Sequence, residues 1–235
     1  MLDCIILAGG LGTRLRSVVD DRPKPLALIN GMPFLHFLMQ SLEASGIVRK
    51  IVLAVGYRAD AIREYFTKNR FSIPVEFSQE HQLLGTGGAI REALEKTSSD
   101  NILVLNGDSY LEFSLEKFLC EHIKLGHIAS LSYTQVEDAA RFGQVEIDQK
   151  NKRVLKFTEK TGVQEPGLIN AGVYLFRHTL FEGFVLPEQF SLEHYFFPLL
   201  ISHGIGAYYC SGAFIDIGTP DSYFLAQTFF QSLVH

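Results

Sequence analysis

The sequence lacks several features that mark common classes of protein. Its three cysteines, Cys4, Cys120 and Cys210, are far apart and form no Cys-x-x-Cys motif, so we expect buried, reduced thiols rather than disulfides or a metal site. The histidines form no set with metal-ligand spacing either. The chain has 26 acidic and 21 basic residues, a net charge of -5, and therefore lacks the basic composition that usually accompanies nucleic-acid binding.

Long apolar stretches and dividing segments are also missing. No run approaches the roughly 18 continuous apolar residues of a membrane-spanning helix. Met1-Leu2-Asp3 does not supply the basic segment that begins a signal peptide. No Pro- or Ser-rich linker, charge run or internal repeat interrupts the chain. We therefore expect one cytoplasmic domain over residues 1–235 that binds neither membrane nor nucleic acid, with assembly into a homo-oligomer left open.

The first half of the chain, residues 1–127, alternates short apolar runs with segments of helical periodicity. The apolar runs predict strands at residues 4–8, 50–55, 75–77 and 101–105. The periodic segments predict helices at residues 33–45, 59–68 and 86–96, the first of them stopped by Gly46. Strands that alternate with helices of about ten residues indicate crossover units, and hence a parallel sheet covered by helices on both faces.

The second half, residues 128–235, has more strand signals and fewer helices. Strands are predicted at residues 128–136, 143–147, 154–157, 167–176 and 213–217, and helices at 191–202 and 220–232. This pattern indicates an antiparallel or mixed β-rich lobe that lies against the first half. Because parallel sheets bind ligands beyond the carboxyl ends of their strands, the glycines after the first strand and Asp108 after the fourth should share one rim.

That rim begins with a glycine-rich loop, in which Gly9, Gly10 and Gly12 directly follow the first strand. Glycine lets the backbone turn sharply and come close to a phosphate, so that several N–H groups can point at its oxygens. Arg14 lies just beyond, and Pro23-Lys24-Pro25 holds a lysine between two stiffening prolines. An arginine and a rigid lysine next to such a loop would form a charge clamp around a reacting phosphoryl group.

Other interpretations of this loop explain less. A dinucleotide-binding loop needs G-x-G-x-x-G, but Leu15 stands where the third glycine belongs, and Gly56-Tyr57-Arg58 provides no acidic residue after the second strand. A Walker A loop needs Gly-Lys-Ser/Thr, which the loop does not contain. A plain strand-to-helix turn would explain one or two glycines but not the spacing of Arg14 and Lys24. A nicotinamide-dependent oxidoreductase is therefore disfavoured.

The same loop, with Pro23-Lys24-Pro25, resembles the signature of the sugar-phosphate nucleotidylyltransferases, or NDP-sugar pyrophosphorylases. Five further segments resemble motifs of that family and occur in the family's order: Gly85-Thr86-Gly87-Gly88-Ala89, Asn106-Gly107-Asp108, Glu159-Lys160, Asn170-Ala171-Gly172 and Phe214-Ile215-Asp216-Ile217-Gly218-Thr219-Pro220. The resemblance implies an α/β nucleotide-diphospho-sugar transferase fold, glycosyltransferase-A-like, with a Rossmann-like, mostly parallel mixed sheet flanked by helices. Residues 1–127 would bind nucleotide, and the smaller β-rich lobe, residues 128–235, would bind sugar.

The resemblance also implies the reaction and its catalytic residues. An oxygen of a sugar 1-phosphate attacks the α-phosphorus of a nucleoside triphosphate and expels pyrophosphate, so catalysis consists mainly of positioning and charge stabilisation. Arg14 would hold the triphosphate, and Lys24 would bridge the phosphates of the two substrates. Asp108 and Asp216 would hold Mg²⁺, the expected cofactor, which prefers carboxylate oxygens. The alternatives are a helix-capping role for Asp108 and a buried structural role for Asp216.

The implied nucleotide-binding residues lie in the opening loop, near the second glycine-rich turn and after the fourth strand: Leu7, Gly9, Gly10, Gly12, Thr13, Glu80, Gly85, Thr86 and Asp108. Glu80 lies near the place where the family reads the base. A carboxylate only accepts hydrogen bonds, so it suits the two adjacent donors of guanine better than the single donor of uracil or thymine. GTP is therefore favoured. The alternative for Glu80 is an ordinary surface glutamate. The alternative for residues 85–89 is a glycine-rich helix start that binds no ligand.

The implied sugar-binding residues are Gly143, Glu159, Lys160 and Asn170. The carboxylate and the amide would bond sugar hydroxyls, the lysine would reach the sugar's phosphate, and the glycine would allow close approach of the ring. A solvated charge pair is the alternative for Glu159 and Lys160. The aromatic residues of this half are expected in the core and not on the sugar: Phe142, Tyr174, Phe176 and Tyr195-Phe196-Phe197.

Within the family, three segments resemble the D-glycero-alpha-D-manno-heptose 1-phosphate guanylyltransferases, which make GDP-heptose for bacterial surface glycans: residues 84–89, 141–143 and 166–172. GTP and this heptose 1-phosphate are therefore the favoured small-molecule substrates. Mannose 1-phosphate with GTP, and N-acetylmuramate 1-phosphate with UTP, are the alternatives within the family. A catalytically silent regulatory subunit that binds sugar nucleotides is the alternative outside catalysis, although Arg14, Lys24 and both aspartates are present.

Overall fold

The computed structural model describes residues 1–158, 160 and 162–233. Its strands are β1 (Leu2–Leu7), β2 (Leu28–Ile29), β3 (Met32–Pro33), β4 (Val48–Val55), β5 (Val75–Gln79), β6 (Asn101–Asn106), β7 (Ser109–Leu111), β8 (Ala129–Val136), β9 (Gln144–Asp148), β10 (Arg153–Thr158), β11 (Gly167–Arg177), β12 (Ile205–Tyr209) and β13 (Phe214–Asp216). Its α-helices are α1 (Phe34–Ser45), α2 (Ala59–Lys68), α3 (Gly85–Leu94), α4 (Leu115–Leu125), α5 (Phe197–Ile201) and α6 (Pro220–Leu233).

One nine-stranded mixed sheet runs through the molecule, in the order β5-β4-β1-β6-β11-β8-β12-β10-β9. The strands of the first half, β5, β4, β1 and β6, are parallel, as predicted. β11 then pairs antiparallel with β6, and the remaining strands extend the sheet in mixed directions. The β-rich second half therefore continues the sheet of the first half. The prediction of a separate lobe that lies against the first half is wrong in this respect.

Helices cover both faces of this sheet because its central strands are apolar on both sides. In β1, Cys4 and Ile6 face a core to which α1, α2, α4 and α6 contribute. Ile5 faces the opposite core, to which α3 and α5 contribute. With both faces buried, the carboxyl ends of β1, β4 and β6 are held in register at one edge of the sheet.

The predicted helices agree with the structure at some ends and not at others. α1 ends at Gly46, whose φ of 67° makes it a left-handed cap, as predicted. The single helix predicted at 191–202 is wrong, because Leu192–Phe196 form a π-helical turn and α5 covers only Phe197–Ile201. Pro198 has no N–H to donate to the carbonyl four residues earlier, which favours the wider turn.

The cysteines differ from expectation at one position. Cys4 and Cys210 are buried, and burial raises the pKa of both thiols, that of Cys210 to about 12. Cys120 is exposed, so its predicted burial is wrong. It lies on α4 between Phe118 and His122, which both point into the protein, and residues two positions apart do not share a helix face.

No helix within residues 1–158, 160 and 162–233 combines the length with the apolar character that crossing a membrane requires.

Candidate active site

A cleft with two adjoining cavities opens at the carboxyl ends of β1, β4 and β6. The nucleotide-side cavity, of about 460 Å³, is lined by all nine predicted nucleotide-binding residues. The sugar-side cavity, of about 320 Å³, is lined by three of the predicted sugar-binding residues, Gly143, Lys160 and Asn170. The fourth, Glu159, lies outside the described residues. Six residues line both cavities: Arg14, Thr86, Asn106, Asp108, Glu193 and Gly218.

The opening loop takes its shape from a backbone conformation that favours glycine. Gly12 has a φ of 60°, in the left-handed region, and the 3₁₀ turn Thr13–Leu15 follows it. Leu15 is buried in the core, which explains why a leucine stands where a dinucleotide loop has its third glycine. A Cβ placed on Gly12 would lie 3.1 Å from Lys24 Cβ, so the loop packs directly on the lysine.

The two predicted catalytic cations converge at Gly218, on the wall between the cavities. A Cβ placed on this glycine would lie 3.7 Å from Lys24 Nζ and 3.8 Å from Arg14 Nη2. The Gly218 N–H donates to Asp216 Oδ2 at 2.8 Å, so one predicted metal ligand is held at the same place. The structure thus brings together residues that lie about two hundred positions apart in the chain.

Asp108 follows β6 at a tight turn, which Gly107 makes by lying directly against the end of β1. The Gly107 N–H donates to the Leu7 carbonyl oxygen at 3.0 Å, and a Cβ on Gly107 would lie only 2.4 Å from that oxygen. Lys24 Nζ donates to Asp108 Oδ2 at 2.5 Å. Burial alone would raise the pKa of Asp108, but the charge and hydrogen bond of Lys24, with help from Ser109, hold the pKa below its ordinary value.

Asp216 reaches the cleft through a two-stranded ribbon in which β13 pairs with β7 and Asp216 lies opposite Ser109, the neighbour of Asp108. Its carboxylate is buried and accepts two hydrogen bonds from Arg141, from Nη1 at 2.8 Å and from Nη2 at 2.5 Å. Sequence reasoning assigned no role to Arg141. Arg141 lies in the segment 141–143 that resembles the family, but a pairing over 75 positions leaves no local signal.

The two aspartates fit the donor set that Mg²⁺ requires. Both line the sugar-side cavity, and Asp108 also lines the nucleotide-side cavity. Magnesium is usually held by one or two carboxylates, with phosphate and water completing the octahedron. Among the described residues, no group of three or more His, Cys, Asp and Glu side chains comes together, so a metal site made of protein ligands alone is not indicated there.

Glu80 is a half-buried residue of the cleft, so the surface-glutamate alternative does not describe it. Its Oε2 accepts from the Leu84 N–H at 3.1 Å. Its Oε1 lies where side chains on Gly9 and Gly56 would be, since a Cβ on either would come within 2.7 Å and 2.5 Å of it. Burial raises the pKa of Glu80, partly opposed by the Leu84 N–H. Two glycines thus make room for one acceptor-only group.

The start of α3 offers fewer free N–H groups than a bare helix end. The N–H groups of Gly87 and Gly88 both approach the Phe190 carbonyl oxygen, at 3.0 Å and 3.4 Å. Gly85, with a φ of 71°, lets that carbonyl come close, because a Cβ there would lie 2.5 Å from it. Any nucleotide contact from this helix end therefore falls to Gly85 and Thr86.

On the sugar side, the groups of Asn170 are already partly engaged. Its Nδ2 donates to the Tyr174 hydroxyl at 2.7 Å, and its Oδ1 accepts from the Gly172 N–H at 3.2 Å. Desolvation and the Arg14 charge lower the pKa of Lys160, against the opposing charges of Asp108 and Glu193. A Cβ on Gly143 would lie 2.9 Å from the Phe157 ring, so this glycine also makes room for a packed aromatic residue.

The aromatic residues of the second half are not all in the core. Tyr174, Phe176, Phe196 and Phe197 are fully buried, as expected. The expectation is wrong for Tyr195, which is 43% exposed, and for Phe142, whose ring lines the sugar-side cavity. The Arg141 guanidinium stacks over the Phe142 ring at 4.4 Å and so holds it at the cavity wall.

The match to known proteins agrees with this geometry. The family model described as nucleotidyl transferase matches residues 3–232, almost the whole chain. The chain belongs to the nucleotidyl transferase family. The family resemblance stated from the motifs is therefore confirmed, and the similarity to the solved structure below confirms the fold class.

This nucleotidyl transferase is similar to three known proteins over most of its length. It is 39% identical to a D-glycero-alpha-D-manno-heptose 1-phosphate guanylyltransferase from Campylobacter jejuni, over 95% of this chain and 97% of the relative. A crystal structure of HddC from Yersinia pseudotuberculosis complexed with GMP-PN is 38% identical, with a TM-score of 0.87, over 98% of this chain and 100% of the other. A mannose-1-phosphate guanylyltransferase from Mycobacterium tuberculosis is 31% identical, over 94% of this chain and 62% of the relative.

The charges of the nucleotidyl transferase cleft suit two phosphorylated ligands. Arg14, Lys24, Arg141 and Lys160 all line one or both cavities, and carboxylates stand between them. Phosphate oxygens can replace carboxylates as partners of guanidinium and ammonium groups. Two anionic ligands, one in each cavity, would therefore meet at the wall where the cations converge.

Proposed function

We propose that this nucleotidyl transferase moves a guanylyl group from GTP to D-glycero-alpha-D-manno-heptose 1-phosphate, giving GDP-heptose and pyrophosphate. The observation that carries the proposal is the convergence of Arg14 and Lys24 at Gly218, between a cavity that holds Glu80 and a cavity that holds Lys160 and Asn170. The similarity to the Campylobacter jejuni enzyme and to HddC with GMP-PN supports the choice of substrates.

In the proposed reaction, an oxygen of the sugar phosphate bonds to the α-phosphorus of GTP, and the bond from that phosphorus to the bridging oxygen of the β-phosphate breaks. The sugar phosphate is already ionised, so no general base is needed. Arg14 and Lys24 hold the triphosphate and stabilise the charge that develops on it. Lys160, which faces the sugar-side cavity, holds the incoming phosphate. Glu80 accepts hydrogen bonds from the guanine N1–H and 2-amino groups.

Mg²⁺ is part of the same proposal, with Asp108 and Asp216 as its protein ligands. When bound, it would neutralise triphosphate charge and stabilise the leaving pyrophosphate. Lys24 and Arg141 contact these two carboxylates in the structure. Phosphate oxygens can accept from both cations, which would leave the carboxylate oxygens available to the metal.

The proposal also keeps the division of the chain into a nucleotide-binding part, residues 1–127, and a sugar-binding part, residues 128–235. The division is not strict at the wall between the cavities, because Glu193 and Gly218 from the second part also line the nucleotide-side cavity. A cytoplasmic location is proposed as well, because the reaction consumes GTP.

The test is a matrix of nucleoside triphosphates against sugar 1-phosphates in Mg²⁺, scored by pyrophosphate release. We expect the highest kcat/KM for GTP with the heptose 1-phosphate. Activity with UTP alone would overturn the assignment of guanine. No turnover in any combination, with a folded protein, would favour the silent sugar-nucleotide-binding subunit instead.

Mannose 1-phosphate is the second candidate acceptor, supported by the similarity to the Mycobacterium tuberculosis mannose-1-phosphate guanylyltransferase. The two sugars differ in size at one end of the ring, so the same matrix separates them. A kcat/KM for mannose 1-phosphate above that for the heptose 1-phosphate would transfer the assignment to mannose.

A further inference from the structure

Glu193 lies on the wall between the two cavities, and no motif pointed to it. It lines both the nucleotide-side and the sugar-side cavity. It belongs to the π-helical turn Leu192–Phe196, whose first turn is capped by the Ser191 hydroxyl. Turns of this kind are uncommon and often occur at functional sites, because the wider turn displaces a side chain from the ordinary helical path. The position of this carboxylate, in a π-helical turn and on the wall of both cavities, therefore indicates a functional role.

One oxygen of this carboxylate holds the nucleotide side. Glu193 Oε2 accepts from Thr86 Oγ1 at 3.0 Å and from Ser191 Oγ at 3.3 Å. Thr86 is the second residue of α3, and its hydroxyl oxygen in turn accepts from the Leu192 N–H at 2.8 Å. The π-helical turn and the start of α3 are thus joined by two hydrogen bonds that run in opposite directions.

The other oxygen holds the sugar side. The Tyr174 hydroxyl donates to Glu193 Oε1 at 3.3 Å and accepts from Asn170 Nδ2 at 2.7 Å. Burial and the Glu193 charge raise the pKa of Tyr174 well above its ordinary value, so the hydroxyl keeps the proton that it donates. Because a carboxylate can only accept, the Tyr174 hydroxyl must donate to Glu193 and accept from Asn170. This bond and the Gly172 N–H on Asn170 Oδ1 together keep the amide nitrogen turned toward the tyrosine.

We propose that Glu193 is a positioning residue that couples the two substrate subsites, by fixing Thr86 on the nucleotide side and, through Tyr174, the amide of Asn170 on the sugar side. This inference rests on the proposed function. A glutamine at this position has one acceptor and one donor atom, so it cannot accept on both sides at once. It either releases Thr86 or reverses the bond to Tyr174, and the reversed bond removes one of the two hydrogen bonds that orient the Asn170 amide, leaving only that from the Gly172 N–H.

Three variants separate the two branches of this network. Thr86→Val removes only the hydroxyl on the nucleotide side, Tyr174→Phe removes only the hydroxyl on the sugar side, and Glu193→Gln disturbs both. Glu182→Gln, at an exposed position outside the cleft, is the matched control. The measurements are the KM for GTP and the KM for the heptose 1-phosphate, together with kcat and Tm for each variant.

We expect a crossed pattern in the two KM values. Tyr174→Phe should raise the KM for the sugar 1-phosphate about tenfold with little change for GTP, as for the loss of one hydrogen bond to a charged group. Thr86→Val should raise the KM for GTP with little change for the sugar 1-phosphate. Glu193→Gln should raise at least one of the two KM values and lower kcat, while Glu182→Gln resembles the wild type.

A merely structural role would give a different result. A lower Tm and a lower kcat with both KM values unchanged in Glu193→Gln and Tyr174→Phe would overturn the inference and leave the proposed function standing. The same holds if both branch variants raise the same KM. Absence of turnover in the wild-type protein with every substrate pair would remove the proposed function and this inference with it.

Discussion

The nucleotide-side and sugar-side cavities share a wall but are built from different parts of the chain. Backbone at strand ends forms much of the first, where Gly12 and Gly107 bring main chain against Lys24 and Leu7. Side-chain pairs form much of the second, such as Arg141 with Asp216. Backbone walls are fixed by the sheet, whereas a wall of ion pairs can change when a phosphate competes for its cations. We therefore expect nucleotide affinity to be robust and turnover to depend on the sugar side and the shared wall.

The largest effect is expected from Lys24→Met, because Lys24 lines the nucleotide-side cavity and its ammonium group lies beside Gly218 on the wall shared with the sugar side. Loss of its ammonium group should lower kcat at least about a hundredfold, as for other groups that stabilise transition-state charge. Pyrophosphate release measures it. Lys117→Met, on the exposed side of α4, is the matched control and should behave as the wild type. A Lys24 variant with the control's kcat would show that the shared wall is not where the reaction takes place.

Asp216→Asn tests whether turnover can be lost while the affinity for GTP is kept. The change removes a proposed Mg²⁺ ligand and weakens the partner of Arg141. We expect kcat to fall about a hundredfold, with the Kd for GTP nearly unchanged by calorimetry. Asp221→Asn, exposed in the first turn of α6, is its control. If GTP binding weakened as much as turnover, the two cavities would not be separable in the way their construction suggests.

Glu80→Gln makes the opposite test, on the nucleotide side alone. Glutamine cannot accept from both guanine donors with the same two oxygens, so kcat/KM for GTP should fall about tenfold. The value for UTP should fall less, and the preference for GTP over UTP should narrow. Glu116→Gln on the surface of α4 should change neither. An unchanged preference would mean that Glu80 does not read the base.

The same contrast explains what could be predicted from the sequence. The parallel sheet, its rim and the opening loop follow from local patterns, because periodicity and glycine spacing are written within a few residues of each element. All nine residues that the family resemblance implied for the nucleotide line one cavity. The π-helical turn that carries Glu193 was predicted as part of a plain helix. The missing N–H of Pro198 favours the wider turn, and the turn packs against α3, which is distant in the sequence.

Sugar-side contacts were harder to predict because they join distant parts of the chain. The strand predicted at residues 213–217 corresponds to β13, but its pairing with β7, which places Asp216 within reach of Arg141, has no signal in the sequence. Phe142 was expected in the core because an aromatic residue usually lies there. Its actual place depends on the guanidinium that stacks on it. Local sequence indicated which residue types were present but not which of them would meet.

The smallest expected effect is on the free energy of unfolding. It tests how much the burial of the Glu80 carboxylate in the nucleotide-side cavity destabilises the folded state. Burial raises the pKa of Glu80 above that of the unfolded chain. A raised carboxyl pKa means that the folded state keeps the proton longer, so the contribution of Glu80 to stability is fully present below the unfolded pKa, about 4.3, and is lost as pH rises through the folded value. Glutamine has no proton to lose. Urea unfolding should therefore show Glu80→Gln to be slightly more stable than the wild type at neutral pH, with the difference shrinking as the pH approaches 4 or below. Glu116→Gln should show no such trend. A Glu80 variant that is less stable at neutral pH would indicate that the Leu84 N–H and the surrounding loop stabilise the carboxylate more than burial disfavours it.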